Sequence, residues 1–324
     1  MTRRSRLLLR LLEAVPLALL AGVYAAFAAL SPRFLDPANL LNILVQSSSI
    51  AIVGVGMTFV LLTAGIDLSP GSIMFLSAAV AGKMVLAGYP LAAAGLAVLG
   101  IGLLFGAVNA ALVARLRVLA FIATLATLYA GRGVGLFLTE TRAMNLPENL
   151  VRIGSGRLLG IPLPIWILAA VAAAAHMVLT RTPFGRQVYA VGSDAEAAVK
   201  AGIDVRSITA RVYVIGGFCA ALGGLVAVAQ LGAVSPTFGN QREFAAIAAA
   251  VLGGTSLFGG RGQVLPGTLL GAVLIQTVES GMVIVNADPY SYPMVTAAII
   301  FLAVLLDSIR QAWVKRLSRR RIRA

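Results

Sequence analysis

Charge is scarce in this sequence. Of its 324 residues, 12% are Asp, Glu, Lys or Arg and 59% are hydrophobic, where a soluble domain carries roughly 25% charged and about half apolar residues. That composition excludes a water-covered surface for a chain of this size. Cysteine and histidine are scarcer still. Cys219 and His176 are single examples, which rules out an intrachain disulfide and a Cys/His metal cluster. His176 lies in the apolar stretch 172–178 and reads as a packing residue. The three lysines are Lys83, Lys200 and Lys315, and none closes a Gly-x-x-x-x-Gly-Lys-Ser/Thr phosphate loop, so ATP hydrolysis by that route is excluded. The chain also lacks His-Glu-x-x-His and a Gly-x-Ser-x-Gly elbow, which argues against an enzyme.

What is present is apolar sequence almost from end to end. A spanning helix takes about 20 apolar residues. Such stretches are expected at 12–30, 40–62, 70–88, 90–113, 118–138, 163–180, 209–230, 243–258, 263–285 and 292–309. The expected fold class is all-α: a polytopic membrane protein with about ten transmembrane helices, some short or broken. The chain divides into a basic N-tail at 1–11, a single transmembrane domain at 12–309 with a long loop at 181–208, and a basic C-tail at 310–324. The basic start leads into an apolar segment with no convincing cleavage site, so a retained first helix is expected. With the N-terminus inside, the inner segments hold 19 Lys/Arg and the outer ones six. Basic loops stay on the cytoplasmic side, so both termini are expected there. The net charge of +14 then reports topology, and no nucleic-acid partner is expected. Glycine pairs such as Gly216-Gly217 and Gly223-Gly224 let helices approach closely in lipid, which a substrate path and a structural bundle need alike.

Three segments interrupt the apolar pattern. In 63–72, Ser69 before Pro70 is expected to cap the following helix, with Asp67 complementing its positive end. A well-capped turn and a role in gating or subunit contact are both open. In 253–262 there are five glycines, which do not favour a continuous helix, so a broken helix is expected here. At membrane depth such a break is tolerated only against protein or a water-filled cavity. In the long loop, Ser193 and Glu196 are expected to form a capping box for a short helix carrying Ala197, Ala198 and Lys200 and stopped by Gly202. Two turns of helix do not persist alone in water, so its alanine face should seat on the protein body or on a partner. Within the spans, Glu279 is an isolated acid and a functional-site candidate by default. Gln46, Ser47, Asn109, Thr124, Gln230 and Gln276 supply amides and hydroxyls, suited either to a neutral, hydroxyl-rich solute or to joining helices.

Four stretches resemble signatures of the permease subunits of bacterial ABC importers for ribose, xylose, arabinose and galactose. They are Ala64 to Ser72 (Ala-Gly-Ile-Asp-Leu-Ser-Pro-Gly-Ser), Gly106-Ala107-Val108-Asn109 with Phe121 to Leu125 and Arg132-Gly133, Phe184-Gly185-Arg186 through Gly192 to Gly202-Ile203, and Ala246 to Ala249 with Gly253 to Gly262. The resemblance runs from about residue 40 to 305. The chain departs from it at Ala64, at Pro70, at Leu119-Ala120, and at Ala245, where that family commonly has Asp.

The resemblance implies a permease subunit that forms the translocation path for a monosaccharide or similar small polyhydroxylated solute in the bacterial cytoplasmic (inner) membrane. The implied partners are a second copy or related permease, a periplasmic or lipid-anchored sugar-binding protein, membrane lipid, and a cytoplasmic ABC ATPase. That ATPase uses ATP and Mg, and this chain binds no cofactor. The implied coupling segment comprises Gly185, Arg186, Tyr189, Gly192, Ser193, Asp194, Glu196, Ala197, Ala198 and Gly202, with 194–201 as the coupling helix. Candidates for the path or gate are Gln46, Ser47, Asp67, Ser69, Asn109, Thr124, Gln230, Gly253, Gly254, Gln276 and Glu279. The competing readings are an ion-coupled secondary transporter using Glu279 and Asp67, and a membrane-embedded enzyme or scaffold.

Overall fold

The computed structural model describes residues 15–299 together with 301, 302, 305 and 308. The two basic tails, 1–11 and 310–324, lie outside the described residues. Helices α1 (Val15–Leu30), α2 (Pro37–Leu62), α3 (Pro70–Leu86), α4 (Leu91–Ala110) and α5 (Ala120–Thr139) come first. They are followed by α6 (Glu148–Ser155), α7 (Leu163–Arg181), α8 (Pro183–Ser193), α9 (Ala195–Lys200), α10 (Val205–Leu231), α11 (Arg242–Leu252) and α12 (Leu269–Ile284). A last helical segment occupies 292–299. Among the described residues, six helical segments are long and apolar enough to cross a membrane: Pro37–Leu62, Leu91–Arg115, Ala120–Thr139, Leu163–Arg181, Val205–Leu231 and Val264–Ile284. Shorter apolar helices cover Leu17–Leu30 and Pro70–Leu86. The chain is an all-α, multi-pass membrane protein.

The long helices α2 and α10 form the centre. Every residue of α2 from Ser47 to Leu62 is buried, and α10 packs against α2, α3 and α4. By contrast α4, α5 and α7 turn large apolar side chains outward, among them Leu96, Leu104, Phe137 and Met177. The α4–α10 seam depends on glycine. A Cβ at Gly102 would come within 2.5 Å of the Gly217 carbonyl oxygen, so any side chain there would push the backbones apart.

Proline and glycine mark most element ends as the sequence suggests. Gly88, at φ +85°, and Pro90 separate α3 from α4. The stretch 243–258 is different: its helix stops at Leu252, after 11 residues. At 1.5 Å per residue that is about 16 Å, too short to cross a core of about 30 Å. Helix α3, with 17 residues, is also short, and its N-terminal residues are buried. The N-terminal ends of α3 and α11 abut. A Cβ at Gly71 would collide with the Gly239 carbonyl oxygen and with Oε2 of Glu243.

Two short antiparallel ribbons sit at the end of the bundle opposite α8 and α9. Met144-Asn145 (β1) pairs with Ala233-Val234 (β4), and Arg157-Leu158 (β2) with Ile161-Pro162 (β3). Helix α6 lies beside them. Its Gly154 backs onto the α10 backbone at Ala229.

Candidate functional site: a polar cavity, a buried network and a braced elbow

The structure sorts the path candidates into separate places. Gln46, Gln276 and Glu279 meet at a cavity of about 620 Å³ between α2, α11, α12 and the 292–297 segment. Its wall also carries Asn42, Asn240, Gln241, Arg242, Phe244 and Tyr292. The size falls in the range of small-molecule sites, about 300–1,000 Å³. Gln276 Nε2 donates to Gln46 Oε1 at 2.9 Å, and Gln46 Nε2 donates to Asn42 Oδ1 at 3.0 Å. Ser280, also on the wall, donates its hydroxyl to Asn39 Oδ1 at 2.8 Å. These amides are therefore ordered by one another. Glu279 faces Arg242 at 3.9 Å. Ala245, where the chain departs from the resembling family's acid, lines the same cavity.

Asp67, Ser69 and Asn109 belong to a second constellation, wholly enclosed. Thr127 Oγ1 donates to Asn109 Oδ1 at 2.7 Å, and Asn109 Nδ2 donates to Ser69 Oγ at 2.8 Å. Ser69 in turn donates to Asp67 Oδ1 through both its hydroxyl, at 2.6 Å, and its backbone N–H, at 2.8 Å. The chain of bonds ties α5 and α4 to the 63–69 segment ahead of α3. This corrects the expected cap: the Ser69 hydroxyl makes no cap bond to α3, because its oxygen already accepts from Asn109 Nδ2 while its O–H donates to Asp67 Oδ1. Thr124 stays outside the side-chain chain and donates to the Ala120 carbonyl of its own helix at 2.8 Å.

The other path candidates hold helices. Ser47 bonds to the Leu44 carbonyl within α2. Gln230 reaches from α10 to the Val45 carbonyl at 2.7 Å. Gly253 packs on Gly267, and Gly254 takes φ +91° to end α11. Neither glycine lines the cavity.

The coupling candidates fall on an elbow, α8 followed by α9. Asp194, not Ser193, caps α9: its carboxylate accepts from the Ala197 N–H at 3.0 Å. The Ser193 hydroxyl instead donates back to the Tyr189 carbonyl at 2.8 Å, so the Ser193–Glu196 capping box does not form. Ala198 is 4% exposed and packs inward, whereas Glu196, Ala197 and Lys200 are exposed. The outward face of α9 is therefore Ala197 with its neighbours, and Ala198 is its anchor. Arg186 is exposed, and Gly185 packs on the end of α7. Gly202, at φ +81°, turns the chain out of α9.

The elbow is braced from two sides. Tyr189 is half-buried and donates its hydroxyl to the Gly262 carbonyl at 2.9 Å. Burial pushes its pKa up, which keeps this donor protonated. Gly192 presses on the Leu62 carbonyl at the end of α2, which also accepts from the Gly260 N–H at 2.9 Å. The glycine-rich 253–262 stretch thus links the elbow to α12, whose Gln276 and Glu279 line the cavity.

Sequence reading missed Arg132. It donates to the Phe238 carbonyl at 2.7 Å and lies 4.8 Å above the Phe75 ring, pinning the segment before α11 onto α3. It also missed Arg242, Asn240, Phe244 and Tyr292 as cavity residues. Their partners are distant in sequence, and no local spacing signals them.

Residues 39–305 match the family described as "Branched-chain amino acid transport system / permease component". The ribose import permease protein of Escherichia coli (strain K12) is 42% identical over 306 residues, 93% of this chain and 95% of the relative. The ribose import permease protein of Haemophilus influenzae is 41% identical over 289 residues, 88% of this chain and 89% of the relative. The D-allose transport system permease protein of Escherichia coli (strain K12) is 37% identical over 294 residues, 90% of each chain. No solved structure matches the chain.

Proposed function

The chain belongs to the branched-chain amino acid transport system / permease component family, and we propose that it is the membrane-spanning subunit of an ATP-driven importer carrying a monosaccharide. It is a transport subunit, not an enzyme. The observation that carries the solute reading is the cavity between α2, α11 and α12. Its amides and hydroxyls replace the water hydrogen bonds of a neutral polyol, while Phe244 and Tyr292 supply apolar faces for a sugar ring. An apolar amino-acid side chain would find few partners among those amides. The ribose and allose importers among the relatives fit the same chemistry.

In this reading the chain makes ten passes of the bacterial cytoplasmic membrane with both termini inside. The short helices α3 and α11 complete their passes through the non-helical segments 63–69 and 235–241. Two permeases, identical or related, form the path, and a periplasmic or lipid-anchored binding protein delivers solute. A cytoplasmic ABC ATPase that uses ATP and Mg docks on the outward face of α9. Closure of the ATPase moves the elbow. Tyr189 and Gly192 pass that motion to the 253–262 stretch and to α2, and through α12 to the cavity wall.

The test is solute competition. The chain is reconstituted with its ATPase and binding protein, and ATP-driven uptake of a labelled sugar is challenged with ribose, allose, fructose and leucine. Competition by one or more sugars and none by leucine supports the reading. Competition by leucine alone overturns it.

A further inference from the structure

We infer that Arg242 and Glu279 set the charge selectivity of this cavity, cancelling one another so that an uncharged sugar passes while sugar acids and amino sugars are disfavoured. The inference rests on the cavity being the translocation path. Arg242 and Glu279 are the only charged side chains among the described residues of its wall; the rest are amides, hydroxyls, aromatics and aliphatics. They come from different helices, α11 and α12, and face each other at 3.9 Å. That is ion-pair range and longer than a hydrogen bond of 2.7–3.2 Å. Their side chains are 39% and 33% exposed, which leaves both heads partly open to the cavity. Two other described ion pairs, Arg142–Glu140 and Arg152–Glu148, are 68–81% exposed and solvent-screened.

A matched pair has the field of a dipole, which fades quickly across a cavity of this width. One partner alone leaves a full charge in a poorly screened space, where a solute several ångströms away still feels it. The pair therefore does more than join α11 to α12. Losing either member should change which charge the cavity accepts, and losing the two members should change it in opposite directions. A purely structural pair would produce the same defect from either side.

The test reads the potential directly. Val283 lines the cavity and is 61% exposed, while Cys219 is buried. A Val283→Cys variant of the full complex therefore offers one accessible thiol in this chain. Its modification is timed with an anionic and a cationic methanethiosulfonate reagent in four backgrounds: unchanged, E279Q, R242Q and R242Q/E279Q. The ratio of anionic to cationic rates is expected to rise at least about tenfold in E279Q and to fall at least about tenfold in R242Q. It should return to within about threefold of the unchanged background in the double variant. Ratios that stay within about twofold in both single variants, or that shift the same way, overturn the inference. Uptake of labelled sugar by the unchanged complex is measured in parallel. If that uptake is absent, the path reading fails, whereas the thiol ratios report on the charge pair by themselves.

Discussion

Replacing Gly192 with alanine tests whether the elbow is braced against the rest of the bundle. A Cβ at this position would overlap the Leu62 carbonyl oxygen and stand 2.6 Å from the Gly260 nitrogen. Ordinary contacts begin near 3.4 Å, so α8 must retreat by well over an ångström, and neither backbone neighbour can swing away as a side chain would. Overpacking of this kind costs about 1–3 kcal/mol. The same movement pulls apart the 2.9 Å bond from the Gly260 N–H to the Leu62 carbonyl, adding about 0.5–1.5 kcal/mol. The expected total is about 1.5–4.5 kcal/mol. It should appear as a lower thermal midpoint of the purified assembly and as less solute moved per ATP hydrolysed. Gly100→Ala is the control. Nothing lies within 4 Å of its Cβ, and replacing a helix-interior glycine gains up to about 1 kcal/mol. If G192A matches the unchanged protein in both midpoint and coupling ratio, the elbow is not held as described.

Two further substitutions separate anchoring from docking on α9. Ala198→Arg forces a charge into a buried position and should lower the stability of the permease itself, read as loss of monodisperse protein on size-exclusion chromatography. Ala197→Arg, on the exposed face, should leave the permease folded and reduce only co-purification of the ATPase; equal behaviour of the two would contradict the assignment of faces. Arg132→Ala removes a charge-assisted bond to the Phe238 carbonyl, about 1.5–3 kcal/mol, and a cation–π contact over Phe75, about 0.5–2 kcal/mol. It should free the 235–241 segment, measured as faster hydrogen exchange there with little change in α7.

The parts of this fold that were legible in the sequence are those governed by local rules. Gly88 and Pro90 end one helix and start the next because φ is fixed or released at those residues. The five glycines of 253–262 signal a break for the same reason, but its position does not follow from them: hydropathy extends the span to 258, and the helix ends at Leu252. Caps were less legible where two acceptors compete. Ser193 and Asp194 are adjacent, and the carboxylate is the one that takes the α9 N–H. Ser69 is a cap by residue type, but its oxygen accepts from Asn109, forty residues away, and its O–H donates to Asp67. Half of the candidate site followed from residue type, since Gln46, Gln276 and Glu279 are polar groups in apolar runs. The other half depends on tertiary placement. Arg242 and Glu279 are far apart in sequence, and only the turn of the chain through 253–268 brings α11 back beside α12. Asn109 and Thr124 read alike in sequence, yet Asn109 bridges two elements while Thr124 bonds within its own helix, a difference set by which side of each helix meets a neighbour.

The most direct measurement of the central claim is the energy source. The chain is reconstituted with its binding protein, with and without its ATPase, and uptake of labelled sugar is driven either by ATP or by an imposed ion gradient. The account predicts uptake only when ATPase and ATP are both present, with no response to the gradient. Uptake by the permease without the ATPase, driven by the gradient and abolished by E279Q, would contradict it and make Glu279 the coupling acid of a secondary carrier.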